Sequence, residues 1–419
     1  MNDHKTSLAE KRAPRILLVI SNLEYGGAQR QVVELANAID PDQFEIHVCS
    51  LSTHVPLAAD LRDREKKFHI VVRRRKFDVG VVLCLVRLVR RLRPVIVHGF
   101  LFDADVAVRL VGKLAGTPVV LGSERNSHYR IKRLHQLAFR LTRGCVDAVI
   151  ANSNAGAAFN ASWTGQNPAR FRVVHNGVDV KRFQPGDAKA SRAAAGLSIN
   201  GRYVGIFASF KPQKNHSMFF EAVARVASQV GDLHALVVGD ALYGGRHGTQ
   251  AVRDEALATV DRLGIRERCV FVPNRRDVAP LYRACDVTVL PSWYEGTPNV
   301  VLESMACGVP TIATNVGDNA HFVLDGETGF LVNRGDATGL AARLELLLMD
   351  TRLRARMGHA ARERAVQEFS SGELAKKMTR VYQELLVGTG RATRRRSLAQ
   401  LEPDGMLWCG ARPVRQRAK

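Results

Sequence analysis

Glu295 and Glu303, with seven residues between them, flank a segment that has the residue types of a turn from a strand into a helix. Gly296 permits unusual backbone angles, Thr297 is a common N-cap residue, and Pro298 suits the first helical position. The free N–H groups of such a helix start attract anions. Glu303 falls among apolar helical residues, where a carboxylate needs hydrogen-bond donors such as sugar hydroxyls or a nearby arginine. The segment therefore predicts a site for a phosphorylated or hydroxyl-rich ligand.

A second candidate for anion binding follows the first predicted strand, in the loop that contains Gly26 and Gly27. Paired glycines let the backbone approach a ligand closely, and the helix that follows offers free amide groups. The pattern is not the Gly-x-Gly-x-x-Gly of dinucleotide sites, and no acidic residue ends the second strand as it does in those sites. A Gly-Gly loop is also typical of a tight turn, so both interpretations stay open at this point.

The composition is that of a folded protein with a strong basic excess. The 419 residues, 46% of them hydrophobic, are enough for two domains. Sixty-one Lys and Arg against 40 Asp and Glu give a formal net charge of +21, which favours nucleic acid, an anionic membrane or phosphorylated small molecules as partners. Basic residues are concentrated in the stretches 62–93, 125–143 and 391–419.

Several classes of protein are excluded or made weaker by what the sequence lacks. Seven scattered cysteines without a Cys-x-x-Cys pair indicate reduced thiols, not a disulfide framework or a zinc site. Without an RNP-type aromatic motif or a clear helix-turn-helix, a nucleic-acid-binding protein is the less favoured alternative. No uncharged apolar stretch reaches about 18 residues, and the run Ile16–Ile20 is too short for a signal sequence. We therefore expect a soluble or peripheral protein.

Short apolar runs alternate with segments of helical length along most of the chain. This alternation predicts parallel sheets covered on both faces, and two series of it predict two doubly wound, Rossmann-like domains. We predict an N-terminal domain over 15–180 and a C-terminal domain over 181–387, between a disordered N-terminus (1–14) and a basic disordered tail (388–419). The predicted strands are Arg15–Ser21, Phe44–Leu51, His69–Val72, Val95–His98, Val119–Gly122, Ala148–Asn152, Arg172–His175, Tyr203–Ala208, His234–Gly239, Cys269–Val272, Val287–Pro291, Thr311–Thr314 and Gly329–Val332.

Short motifs at the ends of these strands occur in a specific order. They are Gly26-Gly27, Asn176-Gly177-Val178-Asp179, Pro212-Gln213-Lys214-Asn215, Val238-Gly239-Asp240, Asp277-Val278, Glu295-x7-Glu303 with its Gly-Thr-Pro turn, and Ala306-Cys307-Gly308-Val309-Pro310. Each motif alone is common, but the series is specific. In this order and spacing the chain resembles the retaining glycosyltransferases of family 4, over roughly 15–387.

The resemblance implies the GT-B architecture, an α/β fold in which two Rossmann-like, doubly wound parallel-sheet domains face a central cleft. The final helix would cross back onto the first domain. A nucleotide sugar would bind mainly on the C-terminal domain, where Glu303 would hold the ribose hydroxyls and Glu295 would contact the transferred sugar. The residues that face the sugar and the diphosphate would be Gly296, Thr297, Pro298 and Asn299.

By the same resemblance, Lys214 would stabilise the diphosphate as it leaves. Gly26 and Gly27 would bring main-chain amides of the first domain to the phosphate or the acceptor. Ala208-Ser209 stands where many members have a Gly-Arg pair, so Lys211 is the candidate for a second positive charge. Because the sequence has no Asp-x-Asp pair in a suitable loop, we expect neither a metal ion nor another cofactor.

The catalytic group on the acceptor side is the least defined part of the predicted site. Many members have a histidine after the strand that ends here in Val97-His98, which makes His98 the candidate. Asp103 stands where some relatives have another histidine. A single histidine at a strand end is also typical of a structural hydrogen-bonding residue.

The resemblance implies a metal-independent retaining hexosyltransferase that moves a sugar from a UDP-, GDP- or ADP-sugar to a hydroxyl of a glycan or lipid-linked acceptor. Such an enzyme would act in the synthesis of cell-surface polysaccharide, lipopolysaccharide or glycolipid. The basic stretches 62–93 and 125–143 suit an anionic membrane surface, so we expect a cytoplasmic enzyme, peripheral at the inner face of the cell membrane, without nucleic acid as a partner. The alternative is a GT-B protein of other chemistry: a sugar-nucleotide hydrolase, epimerase or phosphorylase.

Overall fold

The structure is a computed structural model, which describes residues 13–72, 79–125, 131, 133–241 and 248–388. The predicted disordered termini, 1–14 and 388–419, lie outside the described residues except at 13, 14 and 388. Parts of the basic stretches, 73–78, 126–130 and 132, also lie outside them.

The first domain is built on a parallel sheet with the strand order β3-β2-β1-β4-β5-β6-β7. Its strands are buried by helices on both faces, which explains why they are continuous apolar runs in the sequence. The strands are β1 (Arg15–Ile20), β2 (Glu45–Ser50), β3 (Phe68–Ile70), β4 (Ile96–Phe100), β5 (Val119–Glu124), β6 (Ala148–Ala151) and β7 (Phe171–Val173).

The second domain repeats this plan with the strand order β10-β9-β8-β11-β12-β13, again parallel. The order reverses between β8 and β11, and ligands of open α/β sheets bind at such a reversal. Each predicted strand has a counterpart with ends within a residue or two, which confirms the predicted fold class. The strands are β8 (Arg202–Phe207), β9 (Leu233–Val238), β10 (Cys269–Val272), β11 (Val287–Leu290), β12 (Thr311–Thr314) and β13 (Gly329–Val332).

The helices cover both faces of each sheet and form two apolar cores in each domain. Within the described ranges no helix is both long and apolar enough to cross a membrane. The helices are α1 (Gly27–Ala38), α2 (Arg64–Lys67), α3 (Val79–Leu92), α4 (Phe102–Ala115), α5 (Arg133–Thr142), α6 (Asn154–Thr164), α7 (Ala188–Ala194), α8 (His216–Val226), α9 (Thr249–Arg262), α10 (Ala279–Ala284), α11 (Asn299–Ala306), α12 (Asn319–Phe322), α13 (Ala337–Met349), α14 (Thr351–Glu368) and α15 (Ser371–Gly388).

The chain passes between the domains twice, and the two passages lie side by side. Val178, on the way into the second domain, forms a parallel bridge with Ser370, on the way out of it. The N–H of Val178 donates to the carbonyl of Phe369 (2.8 Å), and the N–H of Ser371 donates to the carbonyl of Val178 (2.9 Å). Helix α15 then packs into the core of the first domain through Leu374, Ala375, Met378 and Tyr382.

Asp318 of the second domain caps helix α6 of the first. Its carboxylate accepts hydrogen bonds from the main-chain N–H groups of Asn154 (2.7 Å) and Ala155 (3.0 Å) and lies 3.2 Å from His175 Nε2. Negative charge at a helix N-terminus is favourable because the first N–H groups have no partner within the helix. Asp318 therefore holds the two domains together with a cap that crosses their boundary.

We expect Asp318→Asn to weaken this contact, because a neutral amide attracts a helix N-terminus less than a carboxylate does. A negative charge at a helix N-terminus contributes about 0.3–1 kcal/mol, so the midpoint of thermal unfolding should fall and the radius of gyration measured by X-ray scattering should increase. Asp350→Asn is the matched control, because Asp350 caps α14 within the second domain through the N–H of Leu353. The control should lower the midpoint and leave the radius of gyration unchanged.

The stabilisation by Asp318 should also depend on pH. Burial acts to raise the pKa of Asp318, but the hydrogen bonds from His175 and from the N–H groups of Ala155 and Asn154 hold this pKa below its usual value. A group whose pKa is lowered on folding stabilises the folded state fully at pH values above its unfolded pKa, which is about 3.9 for Asp. This stabilisation is lost as the pH falls through the folded pKa. The difference in unfolding midpoint between the wild type and Asp318→Asn should therefore shrink below about pH 4. An unchanged difference there would contradict the charge-based account.

Candidate active site

A cavity of about 570 Å³ lies between the two domains, at the loops that follow the carboxyl ends of the strands. Both domains contribute to it, as expected for two doubly wound sheets that face each other. Among the residues that line it are most of those predicted from the sequence: Gly26, Gly27, Lys211, Lys214, Glu295, Gly296, Thr297, Pro298, Asn299 and Glu303.

Lys214 and Glu295 form an ion pair in this cavity, with 2.5 Å between Nζ and Oε1. Glu295 is only 5% exposed, and a carboxylate at that depth needs a partner of opposite charge. Gln213 connects the two loops because its carbonyl accepts from the N–H of Trp293 (2.8 Å) and its side chain donates to the carbonyl of Tyr294 (2.7 Å). The ammonium group of Lys214 is therefore held at a defined place in the cavity.

The backbone at Glu295 leaves no room for a side chain at Gly317. Gly317 has a φ of +56°, and a Cβ atom added to it would collide with the carbonyl oxygen of Glu295. Both the left-handed conformation and the close approach require glycine. The loop after β12 thus fixes the main chain that carries Glu295.

Glu303 lies on α11 and accepts a hydrogen bond of 2.8 Å at Oε2 from the hydroxyl of Tyr282. Tyr282 stacks on Phe207, with 3.7 Å between the ring centroids. Burial raises the pKa of Glu303, while the Tyr282 hydrogen bond and the charges of Arg30 and Arg182 act to lower it. Within the described part of the chain no donor reaches Oε1, so this oxygen can accept hydrogen bonds from a ligand.

The start of helix α11 differs by one residue from the sequence prediction. Thr297 was expected as the N-cap and Pro298 as the first helical residue, but the helix begins at Asn299 and Pro298 is the N-cap. The prediction was wrong because the hydroxyl of Thr297 has a partner in the other domain: it donates to the carbonyl oxygen of Asn152. Contact between domains replaces local capping here.

Asn299 connects the same turn to the Gly26-Gly27 loop. Its Nδ2 donates to the carbonyl of Gly27 (3.0 Å), and its Oδ1 accepts from Nδ2 of Asn176 (2.7 Å). The two loops predicted to bind anions therefore meet across the cleft.

Lys211 also lines the cavity, next to the Lys214–Glu295 pair. Burial and the charge of Lys214 lower the pKa of Lys211, and the carboxylates of Glu295 and Glu24 act in the opposite direction. The predicted second positive charge is thus close to the first. A pair of ammonium groups at this depth suits a ligand with more than one negative charge.

His98 is not brought together with the other predicted residues. It is fully buried on β4, with its Nδ1 3.0 Å from the hydroxyl of Tyr382 and its Nε2 2.7 Å from Oγ of Ser123. Burial and the charge of Arg125 hold the pKa of His98 well below its usual value. These contacts suit the structural interpretation left open by the sequence, and a role of His98 on the acceptor stays a prediction.

The acidic residues offer no cluster for a metal ion within the described ranges, where no three His, Cys, Asp or Glu side chains come together as ligands. The sequence Asp103-Ala104-Asp105 lies in the first turn of α4. There Asp105 is buried and accepts two hydrogen bonds from Arg109, of 2.8 and 3.1 Å. This carboxylate supports the helix.

Sequence reasoning missed several residues that line the cavity, among them Tyr282, Arg125 and Asn176. Tyr282 lies in a helix of six residues, and no local pattern relates it to Glu303. Arg125 was noted only as part of a basic stretch, although it comes directly after the polar end of strand β5. Asn176 belonged to a recognised motif without an assigned contact. The position after a strand end was the available signal for Arg125.

Comparison with known proteins assigns the two domains to two family models. Residues 25–182 match the model described as "Glycosyltransferase Family 4", and residues 201–350 match the one described as "Glycosyl transferases group 1". A curated relative, the D-inositol 3-phosphate glycosyltransferase of Mycobacterium sp. (strain KMS), is 36% identical over 220 residues, which are 51% of this chain and 48% of the relative. The chain thus matches about half the length of the curated relatives.

Solved structures share the fold at low sequence identity. The complex of Anabaena Alr3699/HepE with UDP and glucose aligns with a TM-score of 0.76 at 22% identity, over 88% of this chain and all of that one. Sucrose-phosphate synthase from Thermosynechococcus elongatus aligns with a TM-score of 0.73 at 21% identity, over 90% and 100%.

The two family models correspond to the two domains of the structure. Each model falls on one of the two parallel-sheet domains, and all the sequence motifs that carry the resemblance except Ala306-Cys307-Gly308-Val309-Pro310 contribute residues to the cleft between them. The chain therefore belongs to the family 4 glycosyltransferases, with the GT-B fold.

Proposed function

We propose that the protein transfers a sugar from a nucleotide-sugar donor to a hydroxyl group of an acceptor, with retention of configuration at the anomeric carbon. The observation that carries this proposal is the Lys214–Glu295 pair, held in the same cavity as Glu303 and the start of α11. An ammonium group beside a helix N-terminus suits a diphosphate, and two separate carboxylates suit the hydroxyls of two sugar rings.

These residues suggest one orientation for the donor in the cavity. Glu303, with Oε2 occupied by Tyr282, offers Oε1 to the ribose hydroxyls. The diphosphate would lie against Lys211, Lys214 and the main chain that follows Gly296. The transferred sugar would then reach Glu295. The Anabaena structures that share the fold contain UDP or UDP-glucose, which supports UDP as the first nucleotide to test.

The reaction depends on charge that develops on the leaving group. As the bond from the anomeric carbon to the diphosphate weakens, negative charge grows on the phosphate oxygens, and Lys214 and Lys211 stabilise it without a metal ion. The acceptor hydroxyl attacks the oxocarbenium-like centre from the face that the diphosphate leaves, and its proton passes to an oxygen of the departing diphosphate. Glu295 and Glu303 are not a glycosidase pair, because each is already engaged, with Lys214 and with Tyr282.

The alternative is a GT-B protein with the same donor site and another reaction, such as hydrolysis, epimerisation or phosphorolysis of a sugar nucleotide. In hydrolysis or phosphorolysis, water or inorganic phosphate would replace the acceptor hydroxyl, and epimerisation would need neither. Incubation of the protein with donor, with and without inorganic phosphate and in the absence of a sugar acceptor, distinguishes these reactions from transfer.

The acceptor we propose is a glycan or a lipid-linked sugar, used in the synthesis of cell-surface polysaccharide or glycolipid next to a membrane. Support comes from the surface of α5 in the first domain, where three leucines are exposed: Leu134, Leu137 and Leu141. They lie at helical spacing on one face, with Arg133 and Arg140 exposed beside them. An apolar stripe flanked by arginines suits an anionic lipid surface.

Lys214→Ala and Glu303→Ala should abolish sugar transfer while the protein stays folded. The first removes the positive charge beside the leaving diphosphate, and the second removes the contact with the ribose hydroxyls. Transfer from a panel of UDP-, GDP- and ADP-sugars is measured, together with the thermal shift caused by each nucleotide. At least one nucleotide should raise the unfolding midpoint of the wild type, and Glu303→Ala should lose that shift.

Lys376→Ala is the matched control, since Lys376 forms an ion pair with Glu373 on the exposed face of α15. It should keep full transfer activity, because exposed pairs contribute about 0–1 kcal/mol. Full activity in Lys214→Ala and Glu303→Ala, with no response of the wild type to any nucleotide, would contradict the proposed function.

Leu141→Glu should weaken sedimentation with anionic liposomes, because it places a carboxylate where a 74% exposed leucine would enter the lipid. Binding by the wild type should also fall as salt concentration rises. Met349→Glu, at a residue 60% exposed in the second domain, should leave binding unchanged. Equal binding of the wild type to neutral liposomes would argue against an electrostatic contribution.

A further inference from the structure

Arg125 is a largely buried cation that the proposed reaction does not use. It follows strand β5 in the first domain and lines the central cavity. Its Nη1 donates 3.2 Å to Oδ1 of Asn176, and its guanidinium carbon lies 4.7 Å from the ring centroid of Phe100. The Nε–H is buried and has no hydrogen-bond partner among the described residues.

No carboxylate forms an ion pair with this guanidinium group within the described part of the chain, although the charge of the adjacent Glu124 acts on it. The oxygens of the adjacent Glu124 accept hydrogen bonds from Asn160 and from the main-chain N–H of Arg125 itself. Burial lowers the pKa of Arg125 to about 10, and the charges of Tyr382 and Glu124 act in the opposite direction. A buried cation without a paired anion is costly, and a guanidinium group is shaped to bind two oxygens of one anion.

The position of Arg125 in the first domain favours a contact with the acceptor over a contact with the nucleotide. Arg125 belongs to the first domain, and its main chain approaches Gly296 so closely that a Cβ atom there would lie 3.3 Å from the carbonyl oxygen of Arg125. Gly296 follows Glu295, at the end of the cavity assigned to the transferred sugar. The diphosphate already has Lys211 and Lys214 on the second domain.

We propose that Arg125 binds a negatively charged group of the acceptor, such as a phosphate, and thereby selects acidic acceptors. This inference rests on the proposed function, because it assumes that a nucleotide occupies the second domain. The guanidinium group would bind the anion through Nε and the free N–H groups of its fork, with Phe100 and Asn176 fixing its plane.

The probe for this site is inorganic phosphate, titrated by calorimetry into the full-length protein saturated with UDP. UDP fills the diphosphate site, so that phosphate reports on a second anion site. We expect the dissociation constant of phosphate to rise about tenfold or more in Arg125→Gln. The affinity of Arg125→Gln for UDP should stay within about twofold of the wild type. The reason is that Glu303, Lys211 and Lys214, which we propose as the main nucleotide contacts, lie on the other domain. Arg125→Lys should fall between the two.

Arg172→Gln is the matched control, because Arg172 is an exposed arginine of the same domain outside the cavity. It removes the same charge and should leave the affinity for phosphate unchanged. Unchanged phosphate affinity in Arg125→Gln, or no phosphate binding by the UDP-saturated wild type, would overturn the proposal.

Two further measurements separate this site from other roles of Arg125. An equal loss of UDP and phosphate affinity in Arg125→Gln would mean that Arg125 only holds the cleft together, which overturns the proposal. If Arg125→Gln lost affinity for UDP-glucuronic acid but not for UDP-glucose, Arg125 would bind a carboxylate of the donor sugar. That result would also overturn the proposal. Failure of the wild type to bind any nucleotide would instead remove the proposed function itself.

Discussion

The ion pair between Lys214 and Glu295 depends on two strands that are far apart in sequence and adjacent in the sheet. Lys214 follows β8 and Glu295 follows β11, and these strands pair directly where the strand order reverses. A buried carboxylate needs a partner, and the pairing of these two strands brings Lys214 to Glu295. The contacts of Gln213 and the glycine at position 317 then fix the two loops around the pair.

Contacts between distant parts of the chain also explain why the polar cleft is ordered. Each domain ends its strands in loops whose N–H and carbonyl groups have no partner in the sheet, and the two domains satisfy them in each other. Asn299 reaches Gly27, Thr297 reaches Asn152, and Asp318 caps α6. Because these bonds are made between domains, the residues that would surround a donor are positioned only when the domains are together.

The sequence predicts what local patterns determine and misses what tertiary contact determines. Apolar runs buried on both faces made the thirteen strands readable, and the rule that ligands bind at strand ends located Gly26-Gly27 and the Glu295 loop. The first residue of α11 was misplaced because Thr297 bonds to another domain. One hydrogen-bond partner of His98 is Tyr382, 284 residues away, and no spacing rule relates them. Tyr282 escaped prediction for the same reason.

The paired passages of chain at Val178 and Ser370 determine how the domains can move. Two adjacent crossings, bonded to each other, define a single line about which one domain can rotate against the other. The bonds at Asp318 and Asn299 join the domains outside the four apolar cores, so a hinge rotation that breaks them can leave the cores intact. Opening of the cleft therefore breaks polar contacts, among them the ion pair between Arg276 and Asp60, and a bound donor that bridges the domains would favour the closed state.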